Sequence, residues 1–328
     1  MNVQEIFKSF EQIKVAVIGD AMLDTYWWGD VERISPEAPV PIVKIDHREY
    51  RLGGAANVAL NLKSLGAQVY MMSVIGDDED GVLLEKLIHD NGINTNGIYK
   101  SDKRITTNKI RIIGRNQQMM RLDREMQNEL DGITENIYLQ KLYEQLKKEQ
   151  PQLLIFEDYN KGMLTEQLIS KVISYCKELN IITAVDPKNN NFFSYKGVDI
   201  FKPNLKEARE SLGIPQKNID ANSLQLMHTK LFEKLNHRIS LITLSDKGIF
   251  YENEQGHEII PAHIRNIADV SGAGDTVIAV ASLVYTATKN EKLMAEMSNL
   301  AGGLVCEEVG TVAINKEKLM KECELLLK

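Results

Sequence analysis

The chain has 328 residues, 43% hydrophobic and 26% charged, with 46 acidic side chains against 39 basic ones and a formal net charge of −7. It is long enough to bury a large core as one α/β domain or two smaller ones. No basic block or stripe is present and no apolar run reaches transmembrane length, which argues against nucleic acid or a membrane as partner.

Met1-Asn2-Val3-Gln4-Glu5 lacks the charged start and apolar stretch of a signal peptide, so the cytosol is the expected compartment. Cys176, Cys306 and Cys323 are too few and too scattered for a disulfide framework or a zinc site, and the 6 histidines show no metal-ligand spacing.

Lys14 to Gly19 is a short β-branched run ending in glycine, the pattern of a buried strand. Asp20-Ala21-Met22-Leu23-Asp24 and Tyr26-Trp27-Trp28-Gly29 follow. Arg33-Ile34-Ser35-Pro36-Glu37-Ala38-Pro39-Val40-Pro41 carries three prolines, a density that excludes a central strand or a helix interior. Residues 21–52 are therefore expected to be extended and outside the main sheet. Ala55 to Leu65 has helical spacing with Gly66 at the C-cap, 69–75 predicts a strand, and 79–91 a helix stopped by Gly92. This rhythm implies a mostly parallel sheet with covering helices.

The rhythm breaks between Arg104 and Asp123, where alternating segments 106–113 and 118–123 flank Gly114-Arg115-Asn116-Gln117 as a hairpin. With residues 21–52 it is expected to form a small β layer over one end of the sheet, placed as a lid. Helices are then predicted at 133–148, 165–179, 205–212 and 221–235, with strands at 153–156, 181–185, 199–201 and 239–244. A hairpin over 248–252 and 257–260 precedes helices at 276–288, 290–307 and 315–327. With no internal repeat or low-complexity linker, one elaborated α/β domain over residues 1–328 is the simplest account.

The chemistry gathers at Asp269-Val270-Ser271-Gly272-Ala273-Gly274-Asp275-Thr276, a glycine-rich turn that opens the apolar run Val277 to Val284. A helix starting there leaves amides without partners, and the macrodipole adds positive charge, so phosphate binds well. Asp275 enters the first helical turn beside that anion site. A carboxylate in this place accepts the proton of an attacking hydroxyl while the amides hold the charge of the transferred group. A plain helix start with two turn glycines is the competing reading.

Gly53-Gly54-Ala55-Ala56-Asn57 stands at a strand-to-helix junction, where glycines admit a ligand and Asn57 can meet a sugar hydroxyl, or where a tight turn simply packs. Asp24 follows the first strand, near the carboxyl edge at which open α/β folds bind ligands. Asp158-Tyr159-Asn160-Lys161-Gly162 brings a second acid and a lysine to that edge, or is a solvated loop. Lys188 suits phosphate. Asn204 and Glu207, in Pro203-Asn204-Leu205-Lys206-Glu207, suit magnesium directly or through water, and equally suit a capping box. Ser245 and Gly248 end another strand and can line a nucleotide pocket. Neither G-x-x-x-x-G-K-[ST] nor G-x-G-x-x-G occurs, so a nucleotide's phosphates need another loop, and Gly272 to Asp275 is the best placed.

Taken together, these segments resemble the ribokinase-like (PfkB) carbohydrate kinases over essentially the whole chain. The two family signatures match Gly53-Gly54-Ala55-Ala56-Asn57 and Asp269 to Thr276, in the family's order. The resemblance narrows to the D-glycero-β-D-manno-heptose-7-phosphate kinases on Gly19-Asp20-x-Met22-Leu23-Asp24, on Arg33 to Pro41, and on Arg115-Asn116-Gln117-Gln118 with Arg121-Leu122-Asp123. It implies a three-layer α/β/α fold with a mostly parallel central sheet and a small β lid, with lid segments at about 21–52 and 104–123. It further implies a kinase using ATP and Mg²⁺ that phosphorylates O1 of the heptose 7-phosphate, on the way to ADP-heptose for lipopolysaccharide or other surface glycans.

By the same resemblance Asp275 is the base, and Gly272, Ala273 and Gly274 form the anion hole. Asn204, Leu205, Lys206 and Glu207 form the ATP and magnesium segment, with Lys188, Ser245 and Gly248 on the nucleotide side. Asp24, Gly53, Gly54, Asn57, Asp158 and Lys161 fall on the sugar side, and a monovalent cation such as K⁺ falls near Asp269. The 7-phosphate needs a cationic clamp, for which Arg33, Arg51, Arg111, Arg115, Arg121 and Lys161 are the candidates. Exposed strand edges and Trp27, Trp28, Val40 and Ile42 predict a homodimer through paired lids. Many bacterial relatives carry a C-terminal nucleotidyltransferase with an HxGH-type motif. No such motif occurs before Lys328, so the stand-alone form is expected. Another sugar kinase of this fold, for fructose phosphate or ribose, and a non-catalytic sugar- or nucleotide-binding regulator stay open as alternatives.

Overall fold

A computed structural model of the chain describes residues 1–114, 117–215 and 220–327. In order, its elements are α1 (Val3–Ser9), β1 (Lys14–Gly19), β2 (Ala21–Ile34), β3 (Pro41–Gly54), α2 (Ala55–Ser64), β4 (Gln68–Gly76), α3 (Glu79–Asp90) and β5 (Asn94–Ser101). Next come β6 (Thr107–Gly114), β7 (Gln117–Arg124), α4 (Gly132–Glu149), β8 (Leu153–Glu157), α5 (Glu166–Glu178), β9 (Ile182–Asp186), β10 (Ile200–Phe201), α6 (Leu205–Leu212) and α7 (Ala221–Leu235). The chain closes with β11 (Ile239–Thr243), β12 (Ile249–Asn253), β13 (Gly256–Ile260), α8 (Ala273–Thr288), α9 (Glu291–Val305) and α10 (Lys316–Leu326).

Two elements fall outside the sequence expectations. The signal for α1 is the Asn2-x-x-Glu5 pair, which forms a reciprocal capping box and launches a helix that buries Ile6 and Phe7. β5 begins Asn94-Thr95-Asn96-Gly97, in which the two asparagines and the glycine are poor in strand propensity. Its pairing with β4 at the sheet edge, from Tyr70↔Asn94 to Gly76↔Ser101, makes it a strand all the same.

The large sheet has the order β13-β12-β11-β10-β9-β8-β1-β4-β5. β11 through β5 in that order run parallel, and the β12–β13 hairpin closes one edge antiparallel. Both faces are apolar. β1 sends Val15 and Val17 into one core layer with residues of α2, α8 and α9, and Ala16 and Ile18 into the other with residues of α4 and α5. Helices thus cover both sides of a mostly parallel sheet, the α/β/α arrangement expected.

The smaller sheet has the order β3-β2-β6-β7. β2–β3 and β6–β7 are antiparallel hairpins, and β2 pairs parallel with β6. The proline-rich stretch forms the exposed turn between β2 and β3, with Ile34 paired to Pro41 at its base. Asp20 alone separates β1 from β2 and residue 54 leads directly into α2, so both ends of the long hairpin are rooted beside the large sheet.

α8 is buried from Asp275 through Tyr285. Burying an aliphatic side chain of the size of Ile278, Leu283 or Val284 is worth about 1.5–3 kcal/mol each. That packing fixes the N-terminus of α8 at the carboxyl edge of the sheet. Among the described residues, no helix is long and apolar enough to cross a membrane.

Candidate active site

From β1 the chain builds outward through β4 and β5 on one side and later through β8 to β11 on the other. The strand order therefore reverses between β1 and β8, and open α/β sheets bind ligands in the crevice outside such a switch point. At this edge stand Asp20 and Asp24 after β1, Glu157, Asp158 and Tyr159 from β8, Asp186 and Lys188 from β9, and Lys202 from β10. α8 delivers Asp275 to the same place.

Gly272, the N-cap of α8, adopts φ 79°, a left-handed conformation costly for other residues. A Cβ there would also lie 3.0 Å from Nδ2 of Asn57. The Ala273 amide donates to the Val270 carbonyl at 3.3 Å and the Thr276 amide to that of Gly272 at 3.0 Å. Between them, the amides of Gly274 and Asp275 have no acceptor among the described residues, and with the Gly272 amide they are the open donors at this helix start.

The Asp275 carboxylate is buried and held by two donors. Asn57 Nδ2 donates to Oδ2 and the Tyr159 hydroxyl to Oδ1, each at 2.7 Å. Asn57 is itself fixed by Asn61, whose Nδ2 donates to the Asn57 carbonyl at 2.9 Å. Oδ1 of Asn61 accepts from Thr276 Oγ1 and the Ile314 amide. Burial lifts the Asp275 pKa to about 6, against the opposing pull of the Asn57 and Tyr159 hydrogen bonds and of Lys188, and with a further push from Asp186. The group is thus ionised at neutral pH yet far more basic than an exposed aspartate. Asn57, assigned above to a sugar hydroxyl, lies on the carboxylate.

On the side towards α6, Lys188 pairs with Glu207 at 2.7 Å and Asp186 at 3.3 Å, and Lys202 pairs with Asp186 at 2.7 Å. Burial works against the Asp186 charge, but the two lysines hold its pKa below the usual value. Lys188 is conversely held well above its own, since its carboxylate neighbours outweigh burial. Asn204 and Glu207 form a reciprocal capping box on α6, so Glu207 serves the helix start with one oxygen and Lys188 with the other. Leu205 and Lys206 are the first two residues of α6, and the Lys206 ammonium lies 3.8 Å from Glu210 on the exposed face. A parallel bridge between Asn204 and Thr243 brings Ser245 alongside. The space beside Gly248 is filled by the Ile260 carbonyl, 1.9 Å from where a Cβ would sit.

On the side of the smaller sheet, Arg111 Nη1 donates to Asp24 Oδ1 at 2.6 Å, and Thr311 Oγ1 donates to Oδ2 at 3.3 Å. Gly53 lies against that carboxylate, with a Cβ position 2.6 Å from Oδ2. Gly54 turns the chain into α2 at φ 56°, where a Cβ would sit 2.5 Å from the Asp20 carbonyl. Asp158 faces the core, accepting from Tyr195 at 2.8 Å and the Asn160 amide at 2.8 Å, and burial raises its pKa to about 7. Lys161 pairs with Glu125 at 2.6 Å.

The clamp candidates divide. Arg111 is engaged with Asp24, Arg51 with Glu49 and the carbonyls of Val309 and Thr311, and Arg121 with Asp123. Arg33 lies exposed near the β2–β3 turn, and Arg115 lies outside the described residues. Asp269 accepts from the Ser271 amide and hydroxyl and from the Gly310 amide, which hold its pKa below the usual value against partial burial.

Four residues not nominated from sequence occupy the site. Tyr159 holds Asp275. Asp20 receives the amides of Tyr159 and Lys161 at 2.9 and 3.1 Å, tying the β8 loop to the end of β1. Glu157 is buried with no hydrogen-bond partner among the described residues, and burial, then Asp186 and Asp275, push it far towards its neutral form. Lys109 of β6 is a half-buried ammonium with no carboxylate in ion-pair range among the described residues, 5.2 Å from the Tyr159 ring centre. Asp20 and Tyr159 fall inside the Gly19–Asp24 and Asp158–Gly162 motifs of the sequence, where no role was given to either, and Lys109 is a cation inside a predicted lid strand.

The profile of the pfkB family carbohydrate kinases matches residues 12–318. The chain belongs to that family. A curated relative, the bifunctional protein HldE of Syntrophotalea carbinolica, is 36% identical over 97% of this chain, and HldE of Campylobacter curvus is 39% identical over 93%. The chain spans 64% of the length of each. Among solved structures, phosphofructokinase-2 from Escherichia coli in complex with potassium superposes with a TM-score of 0.79 at 15% identity, covering 96% of this chain and 100% of that one. That likeness is one of fold. As a pfkB carbohydrate kinase, the chain is an ATP-dependent enzyme with a ribokinase-like fold.

Proposed function

We propose that this chain transfers the γ-phosphoryl group of ATP to O1 of D-glycero-β-D-manno-heptose 7-phosphate, giving the 1,7-bisphosphate in ADP-heptose biosynthesis. The observation that carries the chemistry is the Asp275 carboxylate, buried, doubly hydrogen-bonded and set at a helix start with open amides. A base with a pKa near 6 is ionised at working pH and well matched to a hydroxyl's proton. The heptose assignment rests on the resemblance of the Gly19–Asp24, Arg33–Pro41 and Arg115–Asp123 segments, within a family of sugar kinases.

Asp275 takes the O1 proton as the O1–phosphorus bond forms and the bond to the departing ADP oxygen breaks. The Gly274 and Asp275 amides and Lys188 stabilise the charge of the moving group, which is the main work of a phosphoryl-transfer site. Asp186 and Glu207 fit Mg²⁺, with Asn204 alongside, because such an ion needs only one or two carboxylates beside the nucleotide's phosphates. When bound it neutralises phosphate charge. Asp24 and Gly53 would receive the sugar. For the 7-phosphate the cation best free to act is Lys109, with the half-engaged Arg111 and Arg51 nearby. The potassium named with the phosphofructokinase-2 structure supports a K⁺ site in this chain, for which Asp269 is the candidate.

We also infer that residues 1–328 work as one kinase unit in the cytosol and that the small sheet is a lid through which two copies pair. Supporting this are the wholly exposed strand β7, with Met119, Met120 and Leu122, and the exposed Val40 and Ile45 of the β2–β3 hairpin. The test of function is an ATP-dependent assay on heptose 7-phosphate beside fructose 6-phosphate and ribose, with the phosphorylated position read by NMR. Turnover on the heptose at O1 is expected. A preference for fructose 6-phosphate or ribose would replace the substrate, and binding without turnover on all three would remove the kinase reading.

A further inference from the structure

Tyr159 is the second residue of the loop leaving β8. Its hydroxyl donates to Asp275 Oδ1 at 2.7 Å, opposite Asn57 on Oδ2. Its amide donates to the Asp20 carboxylate at 2.9 Å, so the backbone is anchored to the end of β1. Two ammonium groups lie against the ring, Lys109 from β6 at 5.2 Å and Lys188 from the loop after β9 at 5.5 Å from its centre. Cation–π contacts of this kind hold a ring in place. The side chain is thus fixed at its backbone, at its ring and at its hydroxyl, and the hydroxyl ends on the carboxylate read above as the base.

We propose that Tyr159 is a positioning residue for phosphoryl transfer, holding Asp275 in the rotamer that faces the acceptor hydroxyl. The proposal rests on the reading of Asp275 as the base. A carboxylate oxygen carries two lone pairs, so Oδ1 accepts from Tyr159 and still has room for the acceptor's proton. In the transfer step that proton moves from O1 to Asp275, and Tyr159 keeps its own. Burial, reinforced by the negative charge of Asp275, holds the phenol far above its ordinary pKa, so it stays a donor throughout the working range.

The groups around Asp275 separate this role from simple packing. Asn57 faces it from α2, Tyr159 and Glu157 from β8, Asp186 and Lys188 from the end of β9, and Lys202 from beyond β10, while Lys109 of β6 reaches the Tyr159 ring. Only Asn57 and Tyr159 donate hydrogen bonds to the carboxylate among the described residues, and each favours its ionised form. With the hydroxyl gone, burial and Asp186 act against one donor fewer. The pKa of Asp275 must then rise and its rotamer loosen.

Tyr159→Phe keeps the ring between its lysines and removes only the hydroxyl. With carboxyl-¹³C aspartate, and Asp275→Asn to assign the resonance, the Asp275 titration should move upward by about one pH unit. The acid limb of kcat/KM should move with it, and kcat above the limb should fall about tenfold while KM for ATP holds. Asn57→Ser, which removes the other donor, should shift the same titration in the same direction. An unchanged titration and acid limb in Tyr159→Phe, at a wild-type unfolding midpoint, would overturn the proposal. If the resonance moves as expected but neither wild type nor variant phosphorylates any sugar, the positioning stands and the kinase reading fails instead.

Discussion

Replacing Asp275 by Asn should slow the enzyme and stabilise the protein at once. The wild-type pKa of about 6 exceeds the ordinary 3.8 because burial penalises the charge. The native state therefore binds this proton more tightly than the unfolded chain. Its favourable contribution is fully present below pH 3.8 and is lost as the pH rises to about 6. Above that, the ionised carboxylate costs the fold about 3 kcal/mol, at 1.36 kcal/mol for each unit of pKa. Asparagine removes the charge and keeps the shape. It offsets part of the gain, about 1 kcal/mol, because the Tyr159 hydroxyl must then accept from its amide instead of donating.

A net stabilisation of about 1–2 kcal/mol remains, roughly 2–4 °C in Tm for a chain of this size. kcat should fall about 10²–10⁴-fold, the usual worth of a positioned base. Thermal melts from pH 4.5 to 8 beside a coupled ADP-release assay read both quantities. The difference in Tm should shrink as the pH falls towards 4.5. A variant that melts below wild type at pH 7.5, or that keeps near-normal turnover, would refute the reasoning.

Other substitutions probe the rest of the site. In wild type, kcat/KM should decline tenfold per pH unit below about pH 6 as Asp275 takes up its proton; a flat profile down to pH 5 would exclude it as the base. Arg111→Met leaves the buried Asp24 with only Thr311, and urea titration should show a loss of about 3 kcal/mol, largely restored by adding Asp24→Asn. Gly272→Ala forces a left-handed residue at about 1 kcal/mol and pushes a methyl against Asn57, so kcat should drop at least tenfold while Tm moves only a few degrees. Met120→Asp on the exposed strand β7 should give monomers by light scattering if lids pair; an unchanged mass would relocate the interface.

Much of the fold is legible in the sequence because both faces of a parallel sheet are buried, so its strands read as short apolar runs between amphipathic helices. The predicted α6 and α7 match the structure at both ends. β5 escapes that logic, since hydrogen bonding to β4 makes it a strand despite an Asn-Thr-Asn-Gly start. α1 escapes because seven residues carry too little periodicity beyond a capping box. At the site, Asp275, Asn57, Lys188 and Glu207 stand out in sequence beside glycines or at strand ends. What the sequence cannot convey is pairing. Nothing local in Tyr159 or Lys109 tells which carboxylate or ring each will meet, because those contacts join segments far apart in the chain. Of the clamp candidates, Arg51, Arg111, Arg121 and Lys161 look alike in sequence, and the structure separates them by the acid or carbonyl already beside each.

The long hairpin of the small sheet leaves the large sheet and returns to it at neighbouring points, Ala21 lying opposite Gly54 and the Ala55 amide bonding to the Asp20 carbonyl. From there to Gly29 the hairpin is braced by the β2–β6 pairing, and the stretch around the proline turn is a cantilever beyond it. The outer portion can be shortened, lengthened or exchanged without shifting the stem, because no core residue depends on its tip. Acceptor recognition, read above at Asp24 and Gly53 of the stem, is therefore rooted beside the machinery of transfer, and exchanging only the outer hairpin between relatives should leave both intact.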